Sequence, residues 1–447
     1  MKAGFAKNDI TPRVGVELCG FGPFLCRHSI GVRDRLWARA MVAEQNGTKV
    51  ALISCDLIGT SFELTRRVRS LVTSATGIPE DAILLHSTHT HSGPNTAGII
   101  GWGEPDWPYL ETLPHRIALA VRKATENMVE ATLSHAEVPC EGIGLNREYD
   151  RDAPPIDEVL DDEWRPARPD LTDTTCHVIE ARSQGRRIGF LSYFGCHPVV
   201  CCAESHYIHG DYCGVATNML ERESPGAVGL FLQGAQGDVN SCVVHKPEQE
   251  SLLALDIIAS RYANQVRKGL EDAKPINSDV IRCRRREAVF SRRPWDLAEL
   301  RRRLAESERK LSTPEATDSY STEEWNVRME TVYAIALRRL VAKAERGETR
   351  SPATEIQGLR MGPLAFLGTP FEVFQAIKND VRTRATSLIP LVVGLTNDLL
   401  GYAVDHATAE HGGYAADMVP LIIGSIPFAD IHDELVHELL ALDAELQ

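Results

Sequence analysis

The chain has 447 residues, 43% of them hydrophobic and 25% charged, which is ordinary globular sequence with enough length for a large core. Its 62 acidic residues outnumber 48 Lys and Arg, and the resulting net charge of -14 excludes general nucleic-acid binding, which needs basic surface. No stretch approaches the ~18 apolar residues of a membrane span, so stable membrane insertion is not expected.

In chain order, Leu36 to Glu44 runs into Asn46-Gly47 and then Lys49 to Asp56, a strong hairpin signal. A helix-period segment from about Ser61 to Thr76 ends at Gly77 and Pro79. The run from Asp81 to Leu85 reads as a strand leading into a His-rich stretch, and Pro114 to Glu130 reads as an amphipathic helix. A second hairpin runs from Thr175 to Arg182, turns through Gly185, and continues from Ile188 to His197. A third takes Thr354 to Met361, Gly362-Pro363, and Leu364 to Glu372. The copies end at Asp56, His197 and Glu372, each a residue able to bind metal. Their likeness reads either as internal duplication or as generic hairpin grammar.

Residues 146–174, rich in Pro and Asp, read as a long surface loop of the kind that usually carries function or moves. Residues 296–347 read as two helices broken around Thr313-Pro314 and Ser319 to Thr322, an αα-hairpin insertion projecting from the body. Its mixed Glu and Arg read as a solvated face, or equally as the arm of a homo-oligomer. A terminal amphipathic helix follows from Asp430 to Leu446. The fold class expected is α/β, a mixed β-sheet body flanked by helices. Eleven cysteines, with no C-x-x-C pair and Cys201 adjacent to Cys202, do not read as a disulfide framework. Residues 1–12 have no apolar core of a secretory signal, so the expected location is cytoplasmic.

The chemistry concentrates in Leu84 to Pro94, where His89 and His91 lie two apart at the end of an apolar run. In extended chain such residues share a face, so both can hold a divalent metal, or one can hold it while the other works on substrate. The alternative is a pair of polar strand-end residues bonded to backbone. His197, followed by Pro198, ends a second apolar run and shifts the balance towards metal. Hydrolytic zinc takes three protein ligands and an open position, often His with carboxylate. Gly210-Asp211 and Gly237-Asp238 read as turns in which Asp bonds its own backbone, or as support for a histidine. His115, His135, His245, His406 and His411 have no spacing that makes a ligand set. Trp102, Trp107 and Tyr109 either line a pocket or pin their loop, and Cys196, Cys201 and Cys202 flank His197 without partner spacing for thiolate ligation.

Together, Ala3 to Pro12, Ser87 to Pro94, Leu145-Asn146-Arg147, His197-Pro198, His209-Gly210-Asp211, Gly237 to Asn240, Gly394 to Asn397, and Tyr402 with Tyr414 resemble the catalytic domain of the neutral ceramidase family. The resemblance spans residues 3 to about 420. It implies a Zn2+ ion held by His89, His197, Glu372 and Tyr402, with His91, Arg147 and Tyr414 contacting the reacting amide. The family's Glu often lies in a Pro-Gly-Glu turn, whereas this chain has Gly368-Thr369-Pro370-Phe371-Glu372. Glu372 is therefore either the ligand slightly displaced or a helix-start carboxylate favoured by the dipole. The resemblance implies one catalytic domain over 1–447 with the 296–347 hairpin inserted, lacking the signal peptide and C-terminal β-sandwich of secreted members. It also implies a zinc-dependent hydrolase cleaving a linear amide (C–N) bond in a small-molecule or lipid-like N-acyl substrate. A zinc esterase or lactonase on the same site, and a non-catalytic member of the fold, stay open as alternatives. A two-metal phosphatase needs more carboxylates than can be placed.

Overall fold

The computed structural model describes residues 1–150, 154–313 and 325–447. Its three larger sheets repeat one pairing scheme. In the first, β1 (Lys2–Asp9), β2 (Trp37–Gln45) and β3 (Thr48–Cys55) are antiparallel neighbours, and β4 (Ile83–Ser87) adds parallel to β3. In the second, β5 (Thr132–Pro139), β6 (Thr175–Ser183) and β7 (Arg186–Phe194) are antiparallel, and β8 (Val228–Gln233) adds parallel to β7. In the third, β9 (Ile281–Val289), β10 (Ala353–Met361) and β11 (Leu364–Gly368) are antiparallel. A two-residue β12 (Glu372–Val373) follows, β13 (Ile389–Val393) adds parallel to β11, and β14 (Tyr402–Ala403) pairs in parallel with β12.

The three hairpins read from the sequence are thus the centres of three four-stranded units of like topology. The first turn is built on Asn46 and Gly47, both at positive φ (52° and 81°), the conformation a two-residue hairpin demands. Ala38 to Ala43 and Val50 to Cys55 are buried without alternation, because both faces of this sheet are covered. One face takes α1 (Phe62–Thr76) and α2 (Trp107–Glu126), and the core it shares with the other sheets includes Leu191, Leu230 and Leu391.

Helix α1 starts where the Ser61 side chain accepts from Leu64 N–H and stops at Gly77 with φ 72°. The expected start of the next helix at Pro114 is corrected to Trp107. Asp106 caps it by accepting from Tyr109 N–H, and Pro114 is carried inside the helix. Helices α3 (Asp211–Glu223) and α4 (Glu248–Asp272) pack on the second sheet's core. The αα-hairpin is present as α5 (Leu297–Leu311) and α6 (Trp325–Glu345), and the break expected from Pro314 to Thr322 lies outside the described residues. The hairpin does not stand off the body, because Leu300, Met329, Val332, Leu337 and Leu340 bury into the cluster that holds Phe371 and Ile422. The remaining helices used below are α7 (Gln375–Arg384), α8 (His406–His411) and α9 (Ile431–Glu445). Nor is 146–174 an open loop throughout: Asn146 pairs with Val239, and Thr172 and Asp173 are buried, with 151–153 outside the described residues.

Polar groups lock the sheets to one another. Asn397, at φ 65°, exchanges hydrogen bonds with Leu85: its main-chain N–H donates to Leu85 O (2.7 Å) and its Oδ1 accepts from Leu85 N–H (2.9 Å). Its Nδ2 donates to Gln357 Oε1 at 2.8 Å, so one residue joins β4 to β10. Arg39 is fully buried and donates to Asp56 Oδ2 (2.7 Å), Asn218 Oδ1 (2.7 Å) and Glu221 Oε1 (3.2 Å). This corrects the reading of Asp56 as a metal ligand, since its carboxylate is committed to Arg39 and to Trp37 N–H. Among the described residues no helix is long and apolar enough to cross a membrane. Replacing Arg39 with Met is expected to lower stability by about 3–5 kcal/mol, because Asp56 is left buried without its counter-charge. Urea unfolding of the two proteins measures it, and an unchanged midpoint contradicts this role.

Candidate metal centre

Three chain segments, one from each large sheet, end at the same place. Beyond β4 the chain is not extended: Thr88 N–H donates to Cys55 O (2.9 Å), His89 N–H to Leu57 O (2.8 Å), and His89 adopts φ 77°. The reading of His89 and His91 as same-face strand residues is therefore corrected. They share a site because the turn folds back on itself, with ring centroids 4.9 Å apart. His197 follows β7, where its N–H donates to Val239 O at 2.8 Å. Glu372 opens β12, directly opposite Tyr402 in the parallel pair.

The protonation pattern follows from the backbone. His89 Nδ1 lies 2.6 Å from Ile58 O, and His197 Nδ1 lies 2.6 Å from Gln236 O. A carbonyl can only accept, so each Nδ1 carries the proton and each Nε2 keeps its lone pair. Those two lone pairs point at one oxygen, Glu372 Oε2, at 3.1 Å from His89 and 3.0 Å from His197. Neither His197 Nε2 nor Glu372 Oε2 has a hydrogen-bond partner, although both are buried. Burial pushes His197 down to about 4 against the pull of Glu372, so the ring is neutral at pH 7. Burial raises the Glu372 carboxyl, and it is positive charge on the His89 and His197 side that outweighs this and holds it well below the usual carboxylate range. An anionic oxygen facing imidazole lone pairs in a buried space is repulsive until a cation lies between them. Ligand atoms about 2.0–2.1 Å from a tetrahedral zinc stand ~3.3 Å apart, close to the spacing found here. The donor set fits a divalent metal.

His91 completes a group of three histidines whose donor atoms lie within 4.8 Å of one another. Both of its ring nitrogens are buried without a partner. Burial, reinforced by the neighbouring imidazoles and Arg27, holds it well below the ordinary imidazole value. Gly20, at φ +102°, is required beside it, since a Cβ there would come within 2.6 Å of the His91 ring. On the other side the Arg147 guanidinium stands 4.8 Å from the Tyr402 ring and 5.6 Å from the Tyr414 ring. Burial pushes the Tyr402 phenol well up and the Tyr414 phenol up to about 12, both against the pull of Arg147. At pH 7 both are neutral hydrogen-bond donors. Tyr402 is buried, whereas Tyr414 is 39% exposed and marks the side that faces solvent. All seven residues named from the sequence meet in this one cluster.

Two supporting residues, Gln233 and Arg27, carry no sequence signal. Gln233 ends β8, where it reads as one more strand residue. Its Nε2 donates to Thr88 O (3.2 Å) and Cys196 O (3.0 Å), and its Oε1 accepts from Cys196 N–H (3.2 Å). One amide thus ties the residue before His89 to the residue before His197. Arg27, fully buried, donates to His91 O (3.1 Å), Cys19 O (3.2 Å) and Ser205 O (2.9 Å). Asp238 accepts from Gln375 N–H (2.9 Å) and Asn146 Nδ2 (3.1 Å), while its own carbonyl accepts from Arg147 N–H (2.8 Å). The Gly237-Asp238 turn therefore braces Arg147 and the start of α7. Its neighbour Gln236 supplies the carbonyl that holds His197.

Cys201, His209 and Asp211 also bring donor atoms within 4.8 Å of one another. Asp211 N–H donates to His209 Nδ1 (3.1 Å), which leaves the proton on Nε2 and no free lone pair for a metal. The Asp211 carboxylate accepts from the N–H groups of Val200, Cys201 and Tyr212, so this trio holds a turn. Trp102 is buried and Tyr109 donates to Ile10 O (2.6 Å), which pins their loop, while Trp107 is exposed.

Fold and site together define an α/β protein with a buried His–carboxylate centre walled by a guanidinium and two phenols. A family model described as neutral/alkaline non-lysosomal ceramidase, N-terminal, matches residues 1–246, more than half the chain. The chain belongs to this family. The neutral ceramidase from Pseudomonas aeruginosa has the same fold, with a TM-score of 0.74 and 19% identity over 99% of this chain and 74% of that one. A ceramidase complexed with C2 is similar to the same extent, with a TM-score of 0.74 and 17% identity over 99% of this chain and 75% of the other.

Replacing Gln233 with Leu removes the amide that ties the two histidine segments together. Zinc affinity, measured by competition with a chromophoric chelator, is expected to fall about 10–100-fold. Affinity equal to that of the parent contradicts the tie.

Proposed function

We propose that the protein is a zinc-dependent amidohydrolase that cleaves a linear amide bond in an N-acyl or other small amphiphilic substrate. One observation carries this reading above the rest: two imidazoles with Nδ1 protons fixed by backbone direct their Nε2 lone pairs at a single carboxylate oxygen. Family membership and the two ceramidases that share the fold supply the bond type. In this reading His89, His197 and Glu372 hold the ion, with Tyr402 as fourth ligand. When bound, the ion supplies Lewis acidity and a water nucleophile available near neutral pH.

The chain's own groups supply the rest. His91 is neutral, buried and without another partner, so it can take a proton from the attacking water and return it to the leaving nitrogen. An amide needs that second transfer more than an ester does, which favours amide over ester or lactone. Arg147 keeps its charge, and with the Tyr414 hydroxyl it presents donors to the oxygen on which negative charge develops. The partly exposed Tyr414 places the mouth of the site on its own side. We further propose that residues 1–447 work as one catalytic unit with the α5–α6 hairpin inserted. Ten cysteines, Cys26 aside, are free thiols, which supports a reducing, cytoplasmic setting.

The roles separate by measuring metal content and turnover together. His89→Ala and Glu372→Gln are expected to lose both zinc and hydrolysis of N-acyl amides. His91→Ala is expected to keep its zinc and lose about 10²–10⁴ in kcat. A His91→Ala protein without metal, beside a His89→Ala protein that retains it, would reverse the assignment. Arg147→Lys is expected to lower kcat/KM by about 10²–10³, measured on paired amide and ester substrates. An unchanged value removes Arg147 from the oxyanion role.

A further inference from the structure

We propose that His406, His432 and Asp433, backed by Asp380, form a second site for a divalent transition ion of the zinc, nickel and copper class. The site lies where α8 meets α9, apart from the His89–His197–Glu372 centre. His406 opens α8, His432 and Asp433 lie in the first turn of α9, and Asp380 comes from α7. One donor atom from each of His406, His432 and Asp433 lies within 4.8 Å of the other two. The two rings are stacked, with centroids 4.2 Å apart and planes 15° from parallel, so the exposed His406 ring has to turn out of the stack for both in-plane lone pairs to meet one ion.

His432 is the informative member. It is only 6% exposed, and its Nε2 lies 3.0 Å from Asp380 Oδ2. That contact places the ring proton on Nε2 and leaves the lone pair on Nδ1, which is buried and has no partner. A carboxylate on one nitrogen with the other left bare is the arrangement that orients metal-binding histidines. The remaining donors are open to solvent: the His406 and Asp433 side chains are 61% and 67% exposed, and His406 Nε2 lies 3.1 Å from Asp433 Oδ1. An ion can reach them without crossing the protein. An exposed His–Asp contact is ordinary at a surface, but it does not account for a buried imidazole nitrogen beside it with nothing to bind. Two imidazoles and a carboxylate favour zinc, nickel or copper over magnesium or calcium.

The position ties the site to the catalytic wall. His406 follows Tyr402 by four residues, and α8 ends at His411, three residues before Tyr414. An ion joining α8 to α9 therefore holds in place the segment that carries both phenols.

The test uses the full chain, stripped of metal by a chelator and dialysed against zinc chloride, with bound metal counted and heats measured by titration. The parent is expected to bind two equivalents. His406→Gln and Asp433→Asn, both at exposed positions where folding is not at stake, are expected to bind one. His89→Ala is expected to keep one, and His432→Gln is expected to match His406→Gln. A parent that binds one equivalent, with His406→Gln still binding one and His89→Ala none, overturns this site and leaves the proposed catalytic centre standing. His406→Gln and Asp433→Asn proteins that both retain two equivalents also overturn it. If His89→Ala matches the parent while His406→Gln loses an ion, this site stands and the catalytic assignment fails.

Discussion

Two imidazoles and a carboxylate share a buried space with no proton available to join them. Ile58 and Gln236 take the Nδ1 protons of His89 and His197, so the Nε2 atoms can meet Glu372 only as lone pairs. Side chains free to move would avoid such an arrangement. Here backbone carbonyls enforce it, and the carbonyls are held by packed strands and tight turns. The fold therefore stores a demand for a cation at the point where its three sheets meet.

The topology explains how one unit, used three times, builds such a point. In each unit a parallel strand is added to the second strand of an antiparallel hairpin, and chain leaving that parallel pair is free to turn inwards. The first unit contributes His89 after its added strand, the second His197 after its hairpin, and the third Glu372 after its hairpin. Gln233 and Asp238 then couple segments that the sheets alone would leave independent. The opposite wall is built differently. Arg147 lies between two phenols, one buried and one partly open, so rigid donors face a side that meets solvent.

Much of this architecture is legible in the residues, for local reasons. Asn46-Gly47, Gly185 and Gly362-Pro363 mark the three hairpins because few other residues adopt those turns. Ser61 and Gly77 bound α1 in the same way. Pattern reading fails where tertiary contacts decide. Pro114 looks like a helix start, but the cap at Asp106 lets the helix begin earlier. Asp56 looks like a ligand until Arg39, seventeen residues away, claims it. His89 and His91 suggest a strand face, whereas the left-handed φ at His89 depends on bonds to Cys55 and Leu57 that no local pattern shows. Tyr402 and Tyr414 were reachable only through resemblance to a family, whereas Glu372 also stands at the end of the third hairpin. Gln233, Arg27 and the His406–His432 pair had no spacing to betray them, because each works through partners distant in sequence.

We propose that one metal ion is held jointly by His89, His197 and Glu372. Anomalous X-ray diffraction at the zinc absorption edge, from crystals of metal-loaded protein, tests it most directly. A peak bonded to Nε2 of His89, Nε2 of His197 and a carboxylate oxygen of Glu372 is expected, with His91 outside bonding distance. A fully loaded crystal with no peak among these three atoms, or with the ion bound through His91 in place of Glu372, would contradict it.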